Sequence, residues 1–428
     1  MKRTSVQLAP GVRLLTLRTN QFKTNLFSVT LAVPLARETA SANALIPEVL
    51  YRGTRRCPDI ERLSAEADRL YGASIGVGIR RRGEMQCVTL RCAAADDRFV
   101  PGETGLLEQS VALLGELLLD PATENGLFRA DYVRGEGANL ADRIRAERSD
   151  KIAWANWRLI QEMCRDEAFS IHKLGTAEEA ECAEPAALWA AYQALLAQAQ
   201  VIFCCCGPAE PERVEAAARA SFAPLLGGVR EGSFLCTVRP ESAGPVRRVT
   251  EWAEASQCKL TLGFRTGGVT GADPRYPAMV LCNAIYGGTS HSKLFLNVRE
   301  RLSLCYYADS AYDRLKGILL VSTGVERDRL DAAEREIMAQ LAAMARGEFT
   351  AEEQALAVRA LCSSLIAGKD CQGRLEDGAV TGFLTRGAFP DTDGLIAALE
   401  AVTAEQIVEA AGLIRPDTVY CLRGREED

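Results

Sequence analysis

Residues 27–53, FSVTLAVPLARETASANALIPEVLYRG, set the pattern from which the fold follows. Phe27, Val29, Leu31 and Val33 alternate with smaller or polar side chains, which is the period of a strand with one buried face. Leu45, Val49 and Leu50 then recur at helical spacing over 39–53, and Gly53 stands where a helix stop is expected. The order restarts at residues 260–288, LTLGFRTGGVTGADPRYPAMVLCNAIYGG. There Leu260, Leu262 and Phe264 alternate, Ala278, Leu281, Cys282 and Ile285 follow at helical spacing, and Gly287-Gly288 ends the helix.

Between these stretches the periodicity predicts helices near 58–71, 104–119, 125–147, 152–165, 186–198 and 210–222, with strands near 73–81, 85–94 and 200–206. Residues 223–245 carry Gly227, Gly228, Gly232, Pro240, Gly244 and Pro245 without a clear period, the mark of a linker. Thr350 with Glu353, and Thr403 with Gln406, have the spacing of capping boxes that open further helices. Leu70-Tyr71-Gly72-Ala73-Ser74 is matched by Leu304-Cys305-Tyr306-Tyr307-Ala308, an offset of 235 residues from Tyr71 to Tyr306. So long a period suits duplication of a whole domain rather than a solenoid. The expected fold class is α+β, two related domains at 1–225 and 246–428 joined by a linker at 226–245.

A chain of 428 residues with 48% hydrophobic and 25% charged residues is ordinary for a globular protein. A net charge of −7 gives no positive field for a nucleic acid or an anionic membrane, and no stretch reaches the length of an apolar membrane span. The fifteen cysteines are scattered singly, apart from Cys204-Cys205-Cys206 at the end of an apolar strand, where they read as buried thiols of a reduced, cytoplasmic protein. His172 and His291 are the two histidines, too few for most His-based catalytic or metal schemes. No GxxxxGK[ST] loop or GxSxG elbow occurs. His291 lies between Ser290 and Ser292, but neighbours on a helix point in different directions, and His172 sits in a loop between helices.

The segment Ala44-Leu45-Ile46-Pro47-Glu48-Val49-Leu50-Tyr51-Arg52-Gly53-Thr54 resembles the first-helix motif of the pitrilysin/insulinase (inverzincin) metallopeptidases, HxxEH followed by an apolar pair and Gly-Thr. Residues 132–151, YVRGEGANLADRIRAERSDK, resemble the later helix that brings the third zinc ligand. Residues 286–307, YGGTSHSKLFLNVRERLSLCYY, resemble the second-domain signature, with Arg299 and Tyr306 seven residues apart. The NL, I and SDK pattern at 139–151 is similar to the bacterial members described as associated with aminopentanol modification of elongation factor P. The resemblance implies two related domains of the mitochondrial processing peptidase type, each an antiparallel-rich sheet with flanking helices.

Carried over position by position, the resemblance puts Ala44 at the first histidine, Pro47 at the general-base glutamate, Glu48 at the second histidine and Arg143 at the third ligand. A catalytic zinc needs three protein ligands and an open water position, and of these residues Glu48 alone can ligate. No cofactor is expected in this chain. In small family members the resemblance implies that one polypeptide supplies zinc while another supplies the Arg/Tyr pair across a clam-like interface. Arg299 would then hold a peptide carbonyl or carboxylate and Tyr306 an oxyanion. The expected partner is a zinc-bearing paralogue, or a second copy of the chain, with a peptide as substrate. A stand-alone peptide-binding or scaffold protein is the alternative. A rearranged site would require Glu48, Cys57 or His172 to converge.

Overall fold

The computed structural model describes residues 1–230, 232–242, 244–254 and 257–424. They form two compact units, each drawn from three chain segments: 1–145, 171–235 and 368–390 in the first, 146–170, 236–367 and 391–428 in the second.

The first unit is built on strands β1 (Lys2–Ala9), β2 (Val12–Arg18), β3 (Thr24–Pro34), β4 (Ser74–Arg82) and β5 (Met85–Ala95), with a two-residue hairpin β6 (Thr123–Glu124) and β7 (Leu127–Phe128) apart from the sheet, and β8 (Gln200–Gly207). The sheet order is β1-β2-β8-β3-β5-β4, with β2 and β8 parallel and every other pair antiparallel. One face carries Phe27, Val29, Leu31 and Phe203 against helices that include Arg37–Leu50 and Leu106–Leu119. The other carries Leu15, Leu17, Cys204 and Cys206 against Ala379, Val380 and Leu384 of the helix Gln372–Arg386. A strand covered on both faces is apolar at consecutive positions, which is why β8 reads VIFCCC. Its three cysteines are buried, Cys205 on one face and Cys204 and Cys206 on the other.

The second unit contains β9 (Arg247–Ala253), β10 (Cys258–Thr266), β11 (Cys305–Asp313), β12 (Ile318–Val325) and β13 (Ile414–Gly424) in the order β11-β12-β10-β13-β9. Only β13 and β9 pair in parallel. Reading β9, β13, β10, β12 and β11 against β2, β8, β3, β5 and β4 gives the same sequence of one parallel and three antiparallel pairings, so the units are two copies of one topology. The first copy adds β1 at its edge. One face of the second sheet is covered by helices that include Tyr276–Asn283, Leu330–Ala345 and Ala404–Gly412. On the other, Ala155 and Leu159 of the helix Lys151–Met163 meet Tyr420 and Leu422. The α+β class with two related sheets and flanking helices holds.

Three expectations change. The compact units are not the continuous halves 1–225 and 246–428, because each sheet takes the helix that covers its second face from the other half of the chain: Gln372–Arg386 in the first unit and Lys151–Met163 in the second. The linker placed at 226–245 is not a free tether: Leu235 accepts a 2.8 Å hydrogen bond from the Glu84 amide, Arg230 donates to the carbonyl of Ala199 at 3.1 Å, and Pro240 accepts from the Gly267 amide at 3.2 Å. Glu231 and Ala243 of that stretch lie outside the described residues. The repeat offset measured from Tyr71 to Tyr306 is also displaced. Tyr71 (φ 58°) and Gly72 (φ 72°) turn the chain into β4, and the residue with positive φ before β11 is Ser303 (φ 47°), so Tyr306 belongs to the strand rather than the turn.

Candidate functional site

The helix Arg37–Leu50 is buried on nearly every side: Ala40, Ser41, Asn43, Ala44, Leu45, Ile46, Pro47, Val49 and Leu50 are all inaccessible. Its polar side chains are fixed from β5 and from the loop after residue 171. Asn43 donates to Gln86 Oε1 at 3.0 Å, and Gln86 Nε2 donates to the carbonyls of Ala40 at 2.9 Å and Lys173 at 2.7 Å. Ser41 Oγ accepts from the Thr176 amide at 2.9 Å. A Cβ on Gly175 would lie 1.7 Å from that oxygen, and the residue has φ +71°, so only glycine fits there.

Glu48 is partly exposed. It meets the helix Ala130–Glu147, where Arg143 Nη1 donates to Glu48 Oε1 at 2.9 Å. One turn further on, Arg52 Nη1 donates to Glu136 Oε1 at 3.2 Å and its guanidinium lies 4.9 Å from the centre of the Tyr132 ring. The two helical segments therefore carry a two-rung ladder of opposite charges. The fold does bring Glu48 and Arg143 together, as an ion pair.

The segment 286–307 of the second unit sorts into a buried and an exposed set. Tyr286 is wholly buried, with its hydroxyl donating to the carbonyl of Ile337 at 3.1 Å, and burial pushes its phenol pKa up. Gly287 lies so close to Ser310 that a Cβ would sit 2.6 Å from Ser310 Oγ. Lys293 pairs with Glu353 at 3.2 Å, and Glu353 also accepts from the Thr350 amide at 2.7 Å while its own amide donates to Thr350 Oγ1 at 3.1 Å. That is the capping box read from the sequence, as is the one at Thr403 and Gln406. Leu294 and Val298 are core, and Asn297 donates to Gln340 at 2.9 Å.

Arg299 and Tyr306 belong to the exposed set. Arg299, on the helical segment Leu294–Arg301, is exposed; its guanidinium lies 4.6 Å from the Phe295 ring centre and its Nε is 3.3 Å from Glu300 Oε1. Tyr306 follows in β11 with 67% of its surface open. They share the exposed side of the segment with His291, Leu296, Glu300, Arg301 and Leu302.

A model of the peptidase M16 inactive domain matches residues 183–361. Over 412 residues, 96% of this chain and 95% of the relative, the sequence is 32% identical to the probable inactive metalloprotease YmfF of Bacillus subtilis strain 168. The chain belongs to the M16 peptidase family. A conserved protein from Enterococcus faecalis V583 superposes over the full length of both chains with a TM-score of 0.93 and 26% identity. A peptidase M16 inactive domain from Pseudomonas fluorescens, at 17% identity, shares the fold with a TM-score of 0.80 over 100% of this chain and 99% of its own.

At the positions that the resemblance assigns to the metal ligands, the residues do not fit zinc. Ala44 and Pro47 offer no lone pair. Glu48 spends one carboxylate oxygen on Arg143, a guanidinium that would repel a cation arriving there. Nor does a substitute cluster exist among the described residues: no group of three or more His, Cys, Asp or Glu side chains is arranged to hold a metal ion. Cys57 is buried in the first core, and His172 accepts from the Leu174 amide at 3.4 Å in its loop, so the rearranged site using Glu48, Cys57 or His172 does not assemble. His291 lies in a turn. Sequence reasoning passed over Asn43 and Gln86; an amide inside the apolar run SANALI was the available signal, since a buried amide needs a partner.

Proposed function

We propose that this M16 chain, inactive by itself, is the non-catalytic subunit of a zinc-dependent peptide-processing peptidase and supplies Arg299 and Tyr306 to a zinc-bearing paralogue. The observation that carries the reading is the place of the two residues on the exposed side of one signature: Tyr306 stands in solvent and Arg299 keeps only a loose ion pair with its neighbour, so the donors of both are open to a ligand. A guanidinium donates two parallel hydrogen bonds to a carboxylate or carbonyl group, and a phenol donates one to an oxyanion, so the pair can grip a peptide without metal in this chain.

Fifteen free cysteines suit a reducing cytoplasm. The SDK residues at 149–151, behind the resemblance to members linked to elongation factor P modification, have a local role in the fold: Asp150 accepts from the amides of Ile152 and Ala153 at 3.0 and 3.1 Å and caps the helix Lys151–Met163. Membership of that bacterial subgroup is part of the proposal. The alternative is a stand-alone peptide-binding or scaffold protein, or a homodimer.

Co-expression with the zinc-bearing paralogue and a peptide-cleavage assay test the reading. Tyr306→Phe and Arg299→Ala leave the complex assembled, and loss of an oxyanion donor lowers kcat about 10²–10³-fold. Cleavage at the unaltered rate by both variants, or failure of the two chains to associate, would assign the protein to the scaffold class.

A further inference from the structure

The two copies of the topology differ at one edge. In the first unit β2, parallel to β8, is covered on its outer side by β1, antiparallel from Lys2 opposite Arg18 to Ala9 opposite Val12. Its counterpart in the second unit, β9, is parallel to β13 in the same way, and among the described residues no strand covers its outer side. A free edge offers unpaired N–H and C=O groups to any extended chain; proteins blunt such edges with bulges, prolines and charged side chains, and glycine weakens a strand. The other outer strands carry these devices. The register breaks between Gln7 and Ala9 in β1 and between Cys305 and Ala308 in β11, and β4 carries Gly76, Gly78 and the run Arg80-Arg81-Arg82. By contrast β9, RRVTEWA, has no glycine or proline and keeps an unbroken register from Arg247 to Ala253.

The charges of β9 are balanced within the chain. Arg248 donates to both carboxylate oxygens of Glu334 at 2.9 and 2.6 Å, Arg247 lies 3.4 Å from Glu162, and Glu251 accepts from Arg158 at 2.8 Å and from Tyr420 at 2.9 Å. The edge therefore sets no like-charge barrier against a second copy. Trp252 stands 51% exposed on it, with the Arg327 guanidinium 5.3 Å from its ring centre. An open indole on an edge without a blunting device is the kind of residue that interfaces favour. Laid antiparallel to itself, the strand has one register that uses all seven residues, centred on Thr250. It sets Arg248 opposite Trp252 of the second copy and, by symmetry, Trp252 opposite Arg248. Val249 meets Glu251 and Arg247 meets Ala253. No like charges oppose each other, and arginine against tryptophan is a favourable cross-strand cation–π pair, present twice.

We propose that β9 is a self-association edge, pairing antiparallel with β9 of a second copy of this chain so that two five-stranded sheets join into one. Pairing consumes the free edge of both copies, so the assembly closes at a dimer instead of growing. The contact is short for a permanent interface, and a dissociation constant of about 1–100 µM is expected. Tyr306 lies on β11, the opposite edge of the same sheet, so this dimer leaves that edge free and stands apart from the peptidase reading.

Sedimentation equilibrium of the full chain across that concentration range should show a reversible monomer–dimer equilibrium. Trp252→Lys places a cation opposite Arg248 and should weaken the dimer about tenfold or more. Adding Arg248→Glu to that variant brings opposite charges face to face and should restore association, a rescue that only the register centred on Thr250 provides. Ile366→Lys, at an exposed apolar position on the helix Ala351–Gly368, should leave the equilibrium unchanged. Positions 248, 252 and 366 are all exposed, so each variant should keep the circular dichroism spectrum of the parent chain. A monomer throughout, a dimer that Trp252→Lys leaves intact, a loss that Arg248→Glu does not rescue, or dissociation by Ile366→Lys overturns the proposal.

Discussion

The two sheets share one topology, yet the charged residues at their candidate sites are used in opposite ways. In the first unit, Glu48, Arg52, Glu136 and Arg143 close on one another, leaving no free valence where a metal would be held. In the second, the helix and turns after Tyr276 keep their structural polar groups paired and turn Arg299 and Tyr306 outwards. An ion pair joins the two helical segments of the first unit at the positions that the resemblance assigns to metal ligands, so the charges there serve the fold. The comparison gives four measurable expectations.

The strongest concerns the buried and exposed members of the second-unit signature. Leu294→Ala removes a fully buried side chain and should destabilise by about 2–5 kcal/mol, whereas Tyr306→Phe should change stability by less than about 0.5 kcal/mol. Urea unfolding of both variants checks it. A large stability loss for Tyr306→Phe would show that the tyrosine serves the fold and would erase the contrast.

Next is the attempt to rebuild the lost site. Ala44 has no accessible surface, so Ala44→His must force an imidazole into a closed core and should cost about 1–3 kcal/mol from overpacking. The triple change Ala44→His, Pro47→Glu and Glu48→His should bind no stoichiometric zinc, since Arg143 still stands at the third-ligand position. Metal analysis after dialysis, together with the melting temperature, measures both parts. One tightly held zinc per chain would mean that the first unit is a metal site missing only its ligands.

How much of this was legible beforehand depends on the range of the interaction. Period-two alternation marked β3 and β10 because each alternates apolar residues toward its larger core. β1 escaped because KRTSVQLA is a half-exposed edge with little contrast, and β13 because Pro416 interrupts IRPDTVYCLRG; in the fold that proline sits beside the register shift at Gly263 and Phe264, where a missing donor is tolerated. The exchange of Gln372–Arg386 and Lys151–Met163 between halves rests on contacts such as Ser28 with Glu376, 348 residues apart, which no local pattern encodes. Ala44, Pro47, Glu48 and Arg143 were readable as positions of the family motif, whereas the ion pair that joins Glu48 to Arg143 becomes visible only once the two helices are placed.

Those two exchanged helices supply a smaller, pH-dependent contrast. On the first sheet the helix presents Glu376, which accepts from Ser28 Oγ at 2.6 Å; on the second, Asn156 accepts from Ser322 Oγ at 2.6 Å. Burial raises the Glu376 pKa above its ordinary value, an effect only partly opposed by Ser28 and by the charges of Arg82 and Arg91. A folded state that binds this proton more tightly than the unfolded chain gains stability as pH falls from above the folded pKa toward the ordinary value of 4.5. Glu376→Gln should remove that component, flattening the stability profile over this window and favouring the variant on its neutral side. Asn156→Asp should introduce the same slope into the second unit. Superimposable wild-type and Glu376→Gln profiles would mean that the glutamate is not desolvated.

The smallest effect belongs to the ladder of opposite charges in the first unit. Glu48 and Arg143 are both partly open to solvent, so water and salt screen their attraction, and an exposed pair of this kind contributes about 0–1 kcal/mol. Glu48→Gln, Arg143→Gln and the double variant form a cycle in which the coupling should be below about 1 kcal/mol and should shrink as salt rises. The second rung is different in kind: Arg52 also lies over the Tyr132 ring, and its partner Glu136 is less exposed than Glu48, so its coupling should survive salt better. If the Glu48 rung instead proved salt-insensitive and worth several kcal/mol, the ion pair would be a structural clasp across the two helices.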